Sequence, residues 1–346
     1  MLNQTWQSYL TQQNAQIQNE IIQDFGDAAA ERIATRDATV LCDLGQFGIL
    51  KVSGEDAQNF LQNLFSNDIK AVTPQLAQLS SFNSAKGRVI ATFLIWQNGA
   101  DYFLHLPQAL LAPIQKKLSM YVLRAKVKVE DVSLQQVCIG ISGKQAATLL
   151  QANIGELPQT ALGMQEHSQA SIMRIGAERF QINTTPEHAE TLWQKLSAEA
   201  RPVGSSCWDW LNIRAGIPVV LPATQEQFVL LMLNMDIIGA VSFKKGCYPG
   251  QEIVARVHHL GKLKQRSYLA HIDTELAPQA NDPLFSDDYA EQSGGSVLNA
   301  APAPQGGYDV LVTLHISTVQ ESLSVHWNSA DGATLAFQDL PYTFPA

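Results

Sequence analysis

Val52-Ser53-Gly54-Glu55-Asp56-Ala57-Gln58-Asn59-Phe60-Leu61-Gln62 recurs, loosely, as Ile141-Ser142-Gly143-Lys144-Gln145-Ala146-Ala147-Thr148-Leu149-Leu150-Gln151. Each copy has a β-branched residue, a Ser-Gly pair, an alanine, and two apolar residues followed by glutamine. In the first, Ser53 can cap a helix in which Ala57, Phe60, Leu61 and Leu64 recur at helical spacing, and residues 49–52 read as the preceding strand. Each copy therefore begins strand, cap, helix. Ser-Gly is common at such junctions, so the order of elements further along must separate duplication from chance.

That order agrees. After the first copy, residues 89–96 and 102–106 read as a hairpin around Asn98-Gly99, followed by a helix carrying Leu110, Leu111, Ile114 and Leu118. After the second, residues 172–175 and 179–183 supply two strands, Thr185 caps, Pro186 opens, and Leu192, Trp193 and Leu196 line a helix. Two similar α+β lobes follow, and related lobes packed together commonly enclose a ligand cleft. Beyond about residue 262, short β-like runs at 267–272, 310–316, 323–327 and 334–337 predict a small antiparallel barrel or sandwich, with 300–307 as a loop. Residues 1–25 read as a polar amphipathic helix packed outside the first lobe. The expected organisation is an N-terminal helical segment (1–36), a first lobe (37–135), a second lobe (136–255) and a C-terminal β-barrel (256–346).

Composition narrows the function. At 346 residues the chain is long enough for two or three domains, and its net charge of −9 argues against a surface that grips nucleic acid throughout. Cys42, Cys138, Cys207 and Cys247 are far apart, without zinc or redox spacing and without the density of a disulfide scaffold, which fits a reducing cytoplasm. No secretory leader and no apolar run near the ~20 residues of a membrane span is present, so no membrane partner is expected.

Chemistry concentrates in Lys245-Gly246-Cys247-Tyr248-Pro249-Gly250-Gln251-Glu252. Two glycines and a proline favour a turn there and let a ligand approach the main chain. Cys247 is flanked by positive charge, which favours the reactive thiolate; the competing reading is a small buried hydrophobe beside a turn. Gln251 and Glu252 suit an amide-rich heterocycle, and equally the first turn of a helix. The other three cysteines read as structural. One thiolate cannot hold an iron-sulfur cluster, and the adjacent His258-His259 diverge on any regular element, so no resident metal is expected. Lys244, Lys245, Arg256, Lys262, Lys264 and Arg266 form a cationic stretch suited to an anionic tail, a polyglutamate chain or RNA phosphates, or to plain solvation. Lys86-Gly87-Arg88 is a second cationic turn.

At these residues the chain resembles the YgfZ family, folate-binding relatives of the glycine-cleavage T-protein (aminomethyltransferase). Lys245 to Glu252 is similar, position by position, to that family's Lys-Gly-Cys-Tyr-x-Gly-Gln-Glu signature. Further likeness lies in Asp43-Leu44 through Asp68, in Ala85-Lys86-Gly87-Arg88 and in Ala215-Gly216-Ile217-Pro218. The resemblance implies a duplicated α+β, T-protein-like folate-binding body followed by an antiparallel β-barrel.

Two departures matter. Where aminomethyltransferases carry paired aspartates after the glycine turn, this chain has Ala91 and Thr92, and neither can supply a carboxylate for acid-base work at a folate nitrogen. Arg214 replaces a glutamate often found before Ala-Gly. Glycine cleavage is therefore not expected. The resemblance implies instead a protein that binds tetrahydrofolate or a derivative, in mono- or polyglutamylated form, and supports iron-sulfur enzymes and, through them, tRNA modification. Its partners would be reduced folate and iron-sulfur proteins or assembly factors. Cys247 is the candidate reactive group; Lys245, Gly246, Tyr248, Gly250, Gln251 and Glu252 are the folate-binding candidates, with Arg256, Lys86 and Arg88 as weaker ones. The alternatives are a folate-dependent one-carbon transferase acting on a protein or RNA, and a module whose basic strip touches tRNA directly.

Overall fold

The computed structural model describes residues 3–259, 261, 263–286, 288 and 293–344. The N-terminal segment differs from the long helix expected. Helix α1 (Gln4–Gln12) is capped by the Asn3 side chain and is followed by a hairpin, β1 (Gln16–Gln18) and β2 (Ile21–Asp24), then α2 (Ala28–Asp37). Asn19 and Glu20 form a two-residue turn with φ of 50° and 64°. Both positive φ values suit the right-handed twist of a hairpin, but Glu at such a position gives no turn signal in the sequence.

The first repeat follows β3 (Val40–Asp43): β4 (Phe47–Ser53), α3 (Ala57–Leu64), β5 (Gln78–Asn83), β6 (Val89–Asn98), β7 (Asp101–Pro107), α4 (Gln108–Val122) and β8 (Lys128–Asp131). The second runs β9 (Val137–Ser142), α5 (Ala146–Asn153), β10 (Met164–Glu166), β11 (Ala170–Arg174), β12 (Arg179–Thr184), α6 (Pro186–Ser197) and β13 (Arg201–Val203). Their sheets are ordered β5-β6-β7-β4-β8 and β10-β11-β12-β9-β3-β13. The first four strands of each follow the same path, which is the duplication in three dimensions. The copies diverge at the edge, where β8 pairs with β4 but β13 pairs in parallel with the intervening β3.

Ser53 and Ser142 are not the helix caps expected of them. They end β4 and β9, and the chain then turns at Gly54 (φ 113°) and Gly143 (φ 126°), whose carbonyls accept from the N–H of Ala57 and Ala146 at 3.0 Å in both copies. One face of the second sheet is apolar: Ile139, Ile141, Ile172, Phe180 and Ile182 pack against α5 and α6. Trp6, Tyr9, Leu10 and Ile22 of the N-terminal segment join that same cluster, so the segment is built into the second repeat's core.

Helix α7 (Ser205–Arg214) leads into the last part of the chain, where α8 (Gln251–His259) precedes β14 (Gln265–Ile272), β15 (Pro283–Ser286), β16 (Gly295–Pro302), β17 (Tyr308–His315), α9 (Ile316–Gln320), β18 (Val325–Trp327) and β19 (Leu335–Gln338). The six strands form one antiparallel sheet, β18-β15-β16-β17-β14-β19, curled into a half-barrel, with an isolated bridge between His326 of β18 and Thr334 just before β19. The loop expected over 300–307 begins only after Pro302, because Ala300 packs against the sheet's apolar core and Ala301 is small enough to be buried within the strand. By compactness the chain divides into one unit of Met1–Leu61, Ile69–Gln78 and Phe93–Trp208, and a second of Gln62–Asp68, Leu79–Thr92 and Asp209–Ala346. Among the described residues no helix is long and apolar enough to cross a membrane.

Candidate functional site

The segment Lys245 to Glu252 lies wholly in the second unit, as does the Lys86-Gly87-Arg88 turn, and the fold brings the two together. Gly250 (φ 79°) opens α8, its carbonyl accepting from the N–H of Ile253 and of Val254 at 3.2 Å. A β-carbon on Gly250 would lie 2.4 Å from Gly87 Cα and 2.5 Å from both Gly87 N and Ser84 O. Gly87 (φ 71°) presses back on Ile253 and Gly250. Two glycines are thus required because two backbones touch.

Lys245 anchors the other end of the loop. Its ammonium donates to the carbonyl oxygens of Gln62 and Phe65 and, at 3.1 Å, of Asn67, which occupies all three of its donors. Burial lowers its pKa to about 8, opposed by the nearby Asp68 carboxylate. The charge that the sequence sets two residues from the thiol is therefore drawn into the interior, 5.3 Å from the centroid of the Tyr248 ring. Asn67 is itself fixed, its side-chain amide donating to Leu79 O (2.9 Å) and Gly239 O (2.8 Å).

Between these anchors stands Cys247, which is exposed, whereas Cys42, Cys138 and Cys207 are buried. Gly246 has open space around it. Tyr248 is buried, and its hydroxyl has no hydrogen-bond partner among the described residues; burial pushes its pKa well up. Glu252 sits exposed in the first turn of α8 beside the half-buried Gln251, and Arg256 is exposed one turn on. His258 stacks on Phe243 with ring centroids 3.9 Å apart, and the side chain of His259 and all of Lys262 lie outside the described residues.

The cations separate into two groups. Lys86, Lys244, Arg256 and Lys264 are exposed. Arg88 is exposed too, its guanidinium donating to Gln227 O. Arg266, in contrast, is buried in a two-pronged pair with Asp236, at 2.6 and 2.9 Å, so the cationic stretch is shorter than its sequence suggests. Sequence reading also missed Asn83, at the end of β5, and Ser84, in the turn that meets Gly250, whose side-chain Nδ2 and Oγ are buried without a partner among the described residues. No periodicity marks them; only the Gly87–Gly250 contact does.

The GCVT N-terminal domain family matches residues 7–245, more than two thirds of the chain. The chain belongs to that family. Among curated proteins it is similar to the tRNA-modifying protein YgfZ of Yersinia pseudotuberculosis, 29% identical over 308 residues covering 88% of this chain and 92% of that one. The tRNA-modifying protein YgfZ of Escherichia coli O157:H7 is 28% identical over 308 residues (88% and 93%), and that of Colwellia psychrerythraea 29% over 265 (76% and 79%). Its fold is similar to that of the glycine-cleavage aminomethyltransferase T of Bartonella henselae, with a TM-score of 0.81 at 16% identity over 98% of this chain and 97% of the other.

Within this GCVT-family fold, the two positions expected to depart from the aminomethyltransferases hold no carboxylate. Ala91 is fully buried on β6, and the Thr92 hydroxyl accepts from Val220 N at 3.2 Å. Arg214 is likewise engaged in structure: it lies 3.7 Å from the buried Asp309, donates to Gln338 and sits over the Trp210 ring. Among the described residues no three His, Cys, Asp or Glu side chains stand close enough to hold a metal ion.

Proposed function

We propose that this chain is a cytoplasmic tetrahydrofolate-binding accessory protein that supports the assembly or repair of iron-sulfur enzymes and, through them, tRNA modification, with Cys247 as its reactive thiol. The observation that carries the reading is an exposed cysteine on a loop pinned at both ends, by the Lys245 ammonium and by the Gly87–Gly250 contact. A loop pinned this way holds a nucleophile or ligand in place without ordering cost at the moment of reaction.

The surrounding residues fit a folate. The buried Tyr248 hydroxyl, Asn83 Nδ2 and Ser84 hydroxyl have no hydrogen-bond partner among the described residues, which leaves them able to meet the polar atoms of a ligand. Gln251 and Glu252 add both hydrogen-bonding polarities for a pterin, while Arg256, Lys86 and Arg88 are exposed cations suited to glutamate carboxylates. Tetrahydrofolate supplies a one-carbon carrier when bound. A cluster or its sulfur would be cargo here, handled by Cys247. The names of the YgfZ relatives support the link to tRNA modification, and the absence of a carboxylate at Ala91 and Thr92 favours an accessory role over glycine cleavage.

Titration calorimetry with tetrahydrofolate, alone and polyglutamylated, tests the binding. Cys247→Ser is expected to keep the fold and the affinity while lowering iron-sulfur enzyme activity in cells; wild-type cellular activity would remove the thiol from the account. Multiple-turnover transfer of label from methylene-tetrahydrofolate to a protein or RNA would replace the accessory role with a one-carbon transferase.

A further inference from the structure

The face of the second sheet opposite its apolar core is buried and polar. Cys138 and Gly140 on β9, Ser171 on β11, and Arg179, Gln181 and Asn183 on β12 alternate with the core residues along their strands. Most of this face is satisfied internally: Gln181 Nε2 donates to Asn183 Oδ1 at 2.7 Å, and Asn183 Nδ2 donates to Ser171 Oγ at 3.3 Å.

Arg179 is the exception. It is only 6% exposed, yet its guanidinium makes no hydrogen bond and no ion pair with any described residue, and its Nη1 is completely buried. Trp208 stands beside it, its ring centroid 5.3 Å from the guanidinium carbon. Trp208 lies on the backbone of Gly140, where a β-carbon would come within 2.4 Å of the ring. A cation–π contact of this length contributes attraction to the ring but no hydrogen-bond acceptor, so the guanidinium N–H groups remain available to donate. The buried Ser205 hydroxyl, also without a partner among the described residues, stands three residues before Trp208 on α7, on the same side of the helix.

A buried cation with neither counter-charge nor acceptor is costly, and internal water can supply acceptors but not charge. We propose that Arg179, backed by Trp208, is the seat of a small carboxylate- or phosphate-bearing ligand whose anionic group supplies the missing counter-ion. Access is short, because Arg179 directly follows the exposed turn residues Ala177 and Glu178. This site is separate in its residues from the folate reading, and its test uses probes without a pterin.

Thermal unfolding of the full chain at fixed ionic strength, in chloride, inorganic phosphate or glutarate, reads the site directly. The wild type is expected to gain Tm in phosphate or glutarate beyond its value in chloride, and the arm that responds identifies the anion. R179M, which removes the charge at similar length, is expected to melt above the wild type in chloride, to lose the anion response, and to bind the effective anion at least tenfold more weakly by calorimetry. R179K, which keeps the charge without the fork, covers the case of a poorly folding R179M and is expected to retain a weakened response. A wild-type Tm that tracks ionic strength alone, or an R179M protein that responds as the wild type does, would overturn the proposal.

Discussion

Gly250→Ala isolates the contact that pins the candidate loop. The new methyl meets two penalties. With φ at 79°, the residue sits in the left-handed region, which costs an L side chain about 1–2 kcal/mol. Its β-carbon also falls 2.4–2.5 Å from three backbone atoms of Gly87 and Ser84, which cannot swing aside as a side chain can, and overpacking of this kind adds about 1–3 kcal/mol. A total near 3 kcal/mol corresponds to a fall in Tm of about 4 °C for a chain of 346 residues. Gly246→Ala, four residues earlier in the same motif, is the control: Gly246 has open space and no left-handed φ, so the change is expected to stay within about 0.5 kcal/mol. Differential scanning fluorimetry of both variants makes the comparison. A Gly250→Ala protein melting within about 2 °C of the wild type would show that the Gly87–Gly250 approach does not hold the loop.

Three further outcomes follow from buried groups. Asp43, held by Trp6 Nε1 at 2.7 Å, has its pKa raised by burial from 3.8 to about 6. Since the folded form holds its proton more tightly, the stability linked to Asp43 is fully present below pH 4 and is lost as pH rises through 6. Asp43→Asn keeps the acceptor for Trp6 and abolishes this loss, so relative to wild type it should gain up to about 3 kcal/mol between pH 4 and 7, and a difference in Tm independent of pH would refute it. Asp236→Ala strands the buried Arg266 and is expected to cost about 3–5 kcal/mol in urea unfolding, whereas Glu55→Ala, which breaks the exposed pair with Lys126, should cost under about 1 kcal/mol. Tyr248→Phe removes an unpartnered hydroxyl, so Tm should hold or rise, while tetrahydrofolate affinity should fall by about two- to tenfold if that hydroxyl meets the ligand; a lower Tm would show that the hydroxyl is already satisfied.

The duplicated lobes were legible because they rest on local periodicity: Ala57, Phe60 and Leu61 in one copy and Ala146, Leu149 and Leu150 in the other turn the same face inward in both helices. Elements lacking that signal were not. The β1–β2 hairpin turns on Asn19-Glu20 with no glycine to announce it, and β16 is built from small residues that resemble a loop. At the candidate site, residue types were legible but their directions were not. Lys245 and Arg266 read as surface charge, and each turns inward because a long side chain can reach distant carbonyls or a carboxylate that no sequence spacing reveals. Gly87 and Gly250 stood out singly as turn residues; that they meet is a property of the fold alone. Arg179 drew notice only as the start of a strand, and no sequence spacing shows that the fold buries it beside Trp208 rather than beside a carboxylate.

Reduced folate is the ligand on which the proposed role of this chain depends. Calorimetric titration of the purified chain with tetrahydrofolate, in mono- and polyglutamylated forms, is predicted to show saturable binding that Cys247→Ser retains and Gly250→Ala weakens. Absence of binding to either form by a folded wild-type protein would contradict it.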